Sequence, residues 1–457
     1  MEPELEQDEN FEEQSPGKTA RVQRLLERVT QSRIGRDALG SLGLKIAYTG
    51  FSFIGAALLA RLLGPTGYGV YAYVYALVSL LSIPSQFGLP NLVVRETARG
   101  MAQEDFSAVQ GIWRWAGRTT GQISLTLVVL AGLATWLFRD SLDAERLATL
   151  AWALILVPLV ALGGLRGAAL RGLHRVVAGQ LPEFLIQPGL LALFLIGAAI
   201  LSENPLSAST AMATNAAAAA IAFGVGAVLL WRVTPLAVRK SVARYESRAW
   251  LRSTLPLAFI GGMRLVNRQA AIIILGFFVP EANIGIYRVA AQVSLLTSFG
   301  LEAINMVVAP RFAALYARDE MVKLQRLVTV SARVVLAFNL VLTAGFIALG
   351  RPFLKLAFGL PYEASYIPLL ILLIGQTVNS ATGSVGVLLN MTHKEQEAAK
   401  GVAISAITNV ALNFLLIPLW GIVGSAVAHA ISMIIWNILL WRAVRKKLGL
   451  NSLALKF

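Results

Sequence analysis

Four cations and a carboxylate stand in this chain where hydrocarbon is expected. Lys45, Arg264, Arg268 and Arg288 each interrupt an apolar run, and Glu302 is the carboxylate deep in the run that also holds Arg288. A cation at the centre of a membrane helix costs about 2.5–3.5 kcal/mol on insertion scales, so it ordinarily faces a partner or a wet passage. Arg264 and Arg268 are four residues apart and share one helix face near the middle of a span. There their guanidinium forks match the oxygens of a phosphate or an acidic sugar; the alternative is an interhelical ion pair. Lys45 lies about one turn inside its run, with Thr49 on the same face, and Arg288 lies about one turn inside the opposite end of another, with Gln292 beneath it. Both are near enough to an interface to snorkel instead. Together the four would form a ladder of positive charge across the membrane. Glu302 would pair with one of these arginines or titrate as the coupling site of a proton-driven cycle. Gln376 with Ser380, and Asn409 with Asn413, share helix faces and could bond sugar hydroxyls or join packed helices.

These residues need membrane helices to position them. Apolar runs fall at about 41–62, 69–93, 119–138, 147–169, 183–201, 209–231, 254–279, 285–310, 330–350, 366–390, 401–418 and 422–441. Each is long enough to cross ~30 Å of hydrocarbon at ~1.5 Å per residue. Of the forty Lys and Arg, thirty-one lie in alternate gaps or in the two tails and five in the intervening gaps. By the positive-inside rule both termini are cytoplasmic, and twelve transmembrane helices are expected in an all-α integral membrane protein. A net charge of +15 is then a membrane signature; the basic loops are short and lack the interleaved aromatics of a nucleic-acid surface. Residues 1–40 hold no apolar stretch typical of a signal peptide, so the first helix directs insertion. Residues 1–13 carry seven acids and should be disordered, while Arg21–Arg36 suits either a helix lying on the leaflet or a solvated linker.

The chain is internally duplicated. Gly69-Val70-Tyr71 is matched by Gly285-Ile286-Tyr287, Phe87-Gly88-Leu89 by Phe299-Gly300-Leu301, and Leu229-Leu230-Trp231-Arg232 by Leu439-Leu440-Trp441-Arg442, at offsets of 216, 212 and 210. This predicts two pseudo-symmetric six-helix bundles around a central cavity, related by an axis along the membrane normal. The expected segments are a tail (1–40), a first bundle (41–232), a linker (233–253), a second bundle (254–442) and a tail (443–457). The alanine-rich run Asn215–Ala220, with Gly224 and Gly226, predicts close helix packing, and Pro188 and Pro418 predict bends.

Enzyme chemistry finds no footing. The loops have no room for a soluble catalytic domain, and neither Asp-x-Asp nor a phosphate-binding G-x-x-x-x-G-K-[ST] loop occurs. Cysteine is absent, and His174, His393 and His429 are scattered singly, so no metal site and no cofactor are expected.

The run Leu58-Leu59-Ala60-Arg61-Leu62-Leu63-Gly64-Pro65, then Gly67-Tyr68-Gly69-Val70-Tyr71 and Phe87-Gly88-Leu89, resembles the opening of the Wzx-type oligosaccharide flippases of polysaccharide biosynthesis. These belong to the multidrug/oligosaccharidyl-lipid/polysaccharide (MOP) exporter superfamily. Phe358-Gly359 with Tyr362, Asn409 with Asn413, Ile417-Pro418 and Gly421-Ile422-Val423-Gly424-Ser425-Ala426 are similar to the C-terminal pattern of that family. The resemblance implies a polyprenyl-pyrophosphate-linked oligosaccharide moved from the cytoplasmic to the outer leaflet of a bacterial inner membrane by alternating access. It also implies a glycan polymerase or export machinery as partners, and duplicated lobes that enclose a site make a monomer the default. A multidrug antiporter of the same superfamily would want carboxylates for its organic cations, and this chain offers an excess of cations. A non-transporting scaffold subunit is the rival of another class.

Overall fold

The computed structural model describes residues 33–202 and 205–454; the acidic stretch 1–13 and most of the Arg21–Arg36 segment lie outside the described residues. Regular structure there is helical throughout. The first half comprises α1 (Arg33–Gln86), α2 (Leu89–Ala102), α3 (Phe106–Leu137), α4 (Ala144–Gly172), α5 (Val176–Leu201), α6 (Ala208–Val233) and a short α7 (Leu236–Lys240). The second comprises α8 (Ser247–Phe278), α9 (Glu281–Ala317), α10 (Met321–Phe358), α11 (Tyr366–Thr382), α12 (Val385–Met391) and α13 (Glu395–Leu448). Among the described residues, nine helical stretches are long and apolar enough to cross a membrane.

Two of these stretches fold back on themselves. α13 reverses at Gly421 (φ 55°), so that the Ser425 hydroxyl donates to Asn413 Oδ1 at 2.8 Å and Ser405 donates to the Ser432 carbonyl at 3.2 Å. The reversal falls at Gly421 and not at the expected Pro418, because a positive φ is open to glycine and closed to proline. α1 breaks in the same manner at Gly64 (φ 65°), and its two ends, Gly40 against Val177 and Gln86 against Gly164, lie toward the end of the molecule that carries the basic loops. The bend expected at Pro188 takes the form of a widened turn over Pro182–Ile186, with Gln187 N–H donating to the Pro182 carbonyl. Pro188 has no N–H to offer the Phe184 carbonyl, and the wider turn accommodates that loss. The second expected run ends early, at Phe87 (φ 42°) and Gly88 (φ 69°), whereas Phe299-Gly300-Leu301 continues α9 without a break.

The repeated Gly-x-Tyr triplets have a common structural cause. Gly69 faces the Glu281 carbonyl and Gly285 faces the Pro65 carbonyl, each without room for a Cβ. The two glycines thus let the two halves approach backbone to backbone, each against a carbonyl four residues upstream of the other, as a parallel duplication requires. Around this contact one apolar core spans both halves at the end opposite the basic loops, with Tyr68, Tyr71, Phe358 and Tyr362 at its centre. Toward the basic end the core divides, into a cluster on Leu92, Ile112 and Leu165 and another on Phe312, Leu324 and Leu440.

Within the first half, α4 packs on α1, α3 and α6. Arg166, close to the end of the expected run 147–169, is buried on α4, where it lies against Gly226 and donates to the Phe223 carbonyl at 2.7 Å. Its partner is Glu183, at the start of the expected run 183–201; the two form an ion pair inside the bundle. The alanine face of α6 accordingly packs against α4, and Gly226 makes room for the guanidinium. The linker is fastened to α3 through Arg244 N–H to the Ser107 carbonyl (3.0 Å) and Arg244 to Asp105 (2.6 Å). That carboxylate and Glu246 hold the Arg244 guanidinium above its ordinary pKa.

Two outcomes test this reading. Glu183→Gln leaves the buried Arg166 charge unanswered, and a loss of ~3 kcal/mol is expected, the low end for buried pairs because Glu183 is 33% exposed. The check is thermal unfolding in detergent, where an unchanged midpoint would show the pair to be dispensable. Gly69→Ala should prise open the end opposite the basic loops. The chain has no cysteine, so Ala60→Cys, fully buried in the closed end, reports this by gaining reactivity toward a membrane-impermeant maleimide when Gly69→Ala is added.

Candidate functional site

The seam between the halves is built by α1 packing against α8 and α9. Gly276 seats the Tyr73 ring near one end of α8, and Gly262 meets Ile83 nearer the other, so α8 runs beside the second leg of α1 along most of its length. Three zones follow along this seam.

At the end away from the basic loops the halves are stitched to each other. Arg61 donates through Nε to the Ala357 carbonyl at 2.9 Å and through its terminal nitrogen to the Leu356 carbonyl. Tyr362 donates to the Ala60 carbonyl at 3.0 Å, and Arg146 forms an ion pair with Glu281. The sequence shows Arg61 and Arg146 only as rare cations on the cation-poor side. That rarity was the available signal for a structural role.

In the middle zone the second leg of α1 presents Tyr68, Tyr71 and Tyr75, a stripe at helical spacing whose neighbouring rings stack at 6.5 and 6.2 Å between centroids. Arg288 on α9 lies within electrostatic reach of all three, and Arg268 on α8 lies within reach of Tyr75. By helical rise Arg268 sits ~15 Å from the end of α8 and Arg288 ~10 Å from the start of α9, which places both in the hydrocarbon zone. Arg268 is exposed and Arg288 half-buried, with Gln292 a turn further along, also half-buried. The tyrosine stripe was missed in the sequence, where aromatic residues at that spacing read equally well as core. The side chain of Arg264 is outside the described residues.

At the basic end Lys45 on α1 meets Glu302 on α9, Nζ to Oε2 3.8 Å, so the carboxylate lies beside the lysine across the seam. Thr49 donates to the Lys45 carbonyl at 2.9 Å, its hydroxyl turned to its own helix. The pair is 37% and 62% exposed, and an ion pair so open is worth at most about 1 kcal/mol.

The remaining polar candidates lie inside the second half. Asn409 and Asn413 are fully buried: Asn409 Nδ2 donates to Asn267 Oδ1 at 2.7 Å, and Asn413 Nδ2 to Asn409 Oδ1 at 2.8 Å. They clamp α13 to α8 directly beside Arg268, so the rigidity of that clamp fixes the arginine's position. Gln376 and Ser380 are buried in α11, where Gln376 Oε1 and Ser380 Oγ have no hydrogen-bond partner among the described residues. Among the described residues no group of acids or histidines could hold a metal ion.

This architecture has known counterparts. The family described as polysaccharide biosynthesis protein matches residues 34–316. A Haloferax volcanii protein named probable low-salt glycan biosynthesis flippase Agl15 is 24% identical over 412 residues, 89% of this chain and 82% of its own length. Among solved structures, the lipid II flippase MurJ in an inward closed conformation superposes with a TM-score of 0.69 at 13% identity, covering 90% of this chain and 87% of MurJ. A MOP superfamily transporter from Pyrococcus furiosus, described as having a binding pocket of reversed polarity, gives 0.61 at 12% identity over 93% of this chain and 98% of its own. These likenesses establish the two-bundle membrane fold of that superfamily. With one family matched across the whole first half, the seam and the first two helices of the second, the chain belongs to the polysaccharide biosynthesis protein family.

Proposed function

We propose that this chain is a flippase for a polyprenyl-pyrophosphate-linked oligosaccharide, moved from the cytoplasmic to the outer leaflet of the plasma membrane by alternating access. In this reading the basic end is cytoplasmic, and bundles 41–232 and 254–442 rock about the seam. α1 and α13 each cross twice, and with α8 added to the candidate spans the crossings come to twelve. The observation that carries the proposal is the convergence of Arg268 and Arg288 on the tyrosine stripe of the opposite half. A pyrophosphate is the kind of group for which guanidinium and phenol donors at mid-membrane depth make sense. The named activities of the Haloferax and MurJ proteins support a lipid-linked glycan, and the pocket of reversed polarity described for the Pyrococcus transporter supports a fold whose pocket polarity varies with function. A drug-cation antiporter would need an unengaged carboxylate on the seam, and Glu302 is beside Lys45.

In this scheme Lys45 and Glu302 act as a weak, water-exposed latch across the seam between α1 and α9 at the basic end. A latch worth at most about 1 kcal/mol can open in every cycle, whereas a buried pair could not.

Two experiments test the proposal. Arg268→Ala with Arg288→Ala should lower the flipping of a lipid-linked oligosaccharide in proteoliposomes by roughly tenfold or more, since hydrogen bonds to charged groups are worth ~1.5–3 kcal/mol each. Adding Arg264→Ala tests the third arginine of the sequence ladder, and undiminished flipping in the triple variant would remove the cationic site from the mechanism. Lys45→Glu and Glu302→Lys should each impair flipping and the charge-swapped double variant should recover it. A shifted pH profile in Glu302→Gln, with no recovery in the swap, would instead assign Glu302 to proton coupling.

A further inference from the structure

A second cationic site lies away from the seam, in the first half. α3 and α6 flank α4 with a slot between them, a cavity of about 410 Å3 within the ~300–1,000 Å3 range of ordinary ligand sites. Its walls are apolar, with Trp113 and Gly117 on α3, Leu165 on α4, and Phe223 and Ala227 on α6. Phe223 is ten residues from the end of α6, so the slot reaches ~15 Å into the bundle from the basic end. Trp231 stands at its mouth, 65% exposed, as an interfacial tryptophan would.

Two guanidiniums contribute to the lining. Arg239 sits at the mouth with its Cζ 4.7 Å from the centre of the Trp231 ring, and its backbone carbonyl accepts from Gln110 Nε2 at 3.2 Å. It is therefore held in place by α3 before any ligand arrives. Arg166 closes the deeper wall, its charge answered by Glu183. In both, Nε is buried and has no hydrogen-bond partner among the described residues. A soluble phosphate or sugar would find too few polar walls here. A cation at the membrane surface above an apolar slot fits an amphiphile with an anionic head, as basic pockets between membrane helices do generally.

We propose that this slot binds one anionic phospholipid of the leaflet at the basic end, with its phosphate on Arg239, one acyl chain running past Trp113 and Ala227, and an ester oxygen within reach of Arg166. The inference is independent of the transport reading, since none of these residues lies on the seam. The shared chemistry, a phosphate on a lipid tail, would also describe a polyprenyl phosphate; the phospholipid is preferred because the slot belongs wholly to one half, where rocking would not carry its occupant across the membrane.

The test is native mass spectrometry of the purified full chain released from mixed micelles. These would contain phosphatidylglycerol, phosphatidylcholine of the same acyl chains, and a polyprenyl phosphate in equal amounts. Wild-type protein should retain phosphatidylglycerol over phosphatidylcholine by about fivefold, the discrimination expected of one well-placed cation. Arg239→Gln should bring that preference close to parity and Arg239→Lys should restore part of it. Ala227→Phe, which fills the slot, should reduce retention of both phospholipids. Full preference in Arg239→Gln, or full retention in a folded Ala227→Phe protein, overturns the site. Preferential retention of polyprenyl phosphate, lost in the same variants, overturns the proposed occupant.

Discussion

A charge carried into hydrocarbon must be answered, and the helices of this protein are arranged around the answers. Arg166 is answered by Glu183 and two α6 carbonyls, Arg146 by Glu281, Arg61 by the carbonyls at the end of α10, and Lys45 by Glu302. These answers differ in kind. Arg166 and Glu183 lie within one half and are buried, so they make that half a rigid unit. The other three cross between the halves, where contacts must form and break if the halves move. Among the described residues Arg268 and Arg288 form no ion pair; phenols lie within electrostatic reach of both, and a phenol is a weak partner for a cation. A guanidinium left with so modest an answer retains affinity for a stronger anion.

The reciprocal glycine contact determines where movement can occur. At Gly69 and Gly285 the two halves meet without intervening side chains, so backbone packs directly on backbone. Interfaces of small residues behave this way in membranes generally, because packing and not hydrophobicity holds the helices together. On one side of that contact the apolar core is continuous, and on the other it has split into separate clusters, each confined to one half save for Trp250, which joins the start of α8 to that of the first half. The helices of each half are tied more firmly to one another than across the divided end, which is the structural precondition for two rigid bodies and one seam.

Much of this was legible in the sequence, for identifiable reasons. Spans follow from hydropathy because lipid allows few other structures, and the doubled motifs disclosed two halves because both copies serve one interface. Pairings were less visible. Glu183 and Arg166 sit either side of a turn, and each alone looks interfacial; only the packing of α4 on α6 and α5 shows them to be joined. Glu302, expected to pair with an arginine or to titrate, lies by Lys45 across the seam, ~25 Å by rise along α9 from the Gly285 contact that joins the halves, too far for local pattern to report. The reversals at Gly64 and Gly421 are set by single positive-φ residues, and sequence does not distinguish these from the many packing glycines nearby.

The ownership of the central groups suggests how binding and movement would be coupled under the proposed function. The tyrosines belong to the first half and the arginines to the second. Arg288 lies within electrostatic reach of Tyr68 across the seam, so its charge attracts the phenol of the opposite half. An anion drawn to Arg288 competes with that phenol, and every contact it gains with the guanidinium weakens that attraction between the halves. A ligand shifts a conformational equilibrium only by as much as its affinity differs between the two states. Competition for one guanidinium supplies such a difference, because the state in which Arg288 is free of Tyr68 is the state that binds the anion best. A neutral sugar without its phosphates would lack that leverage, whatever hydroxyl contacts it made elsewhere along the seam.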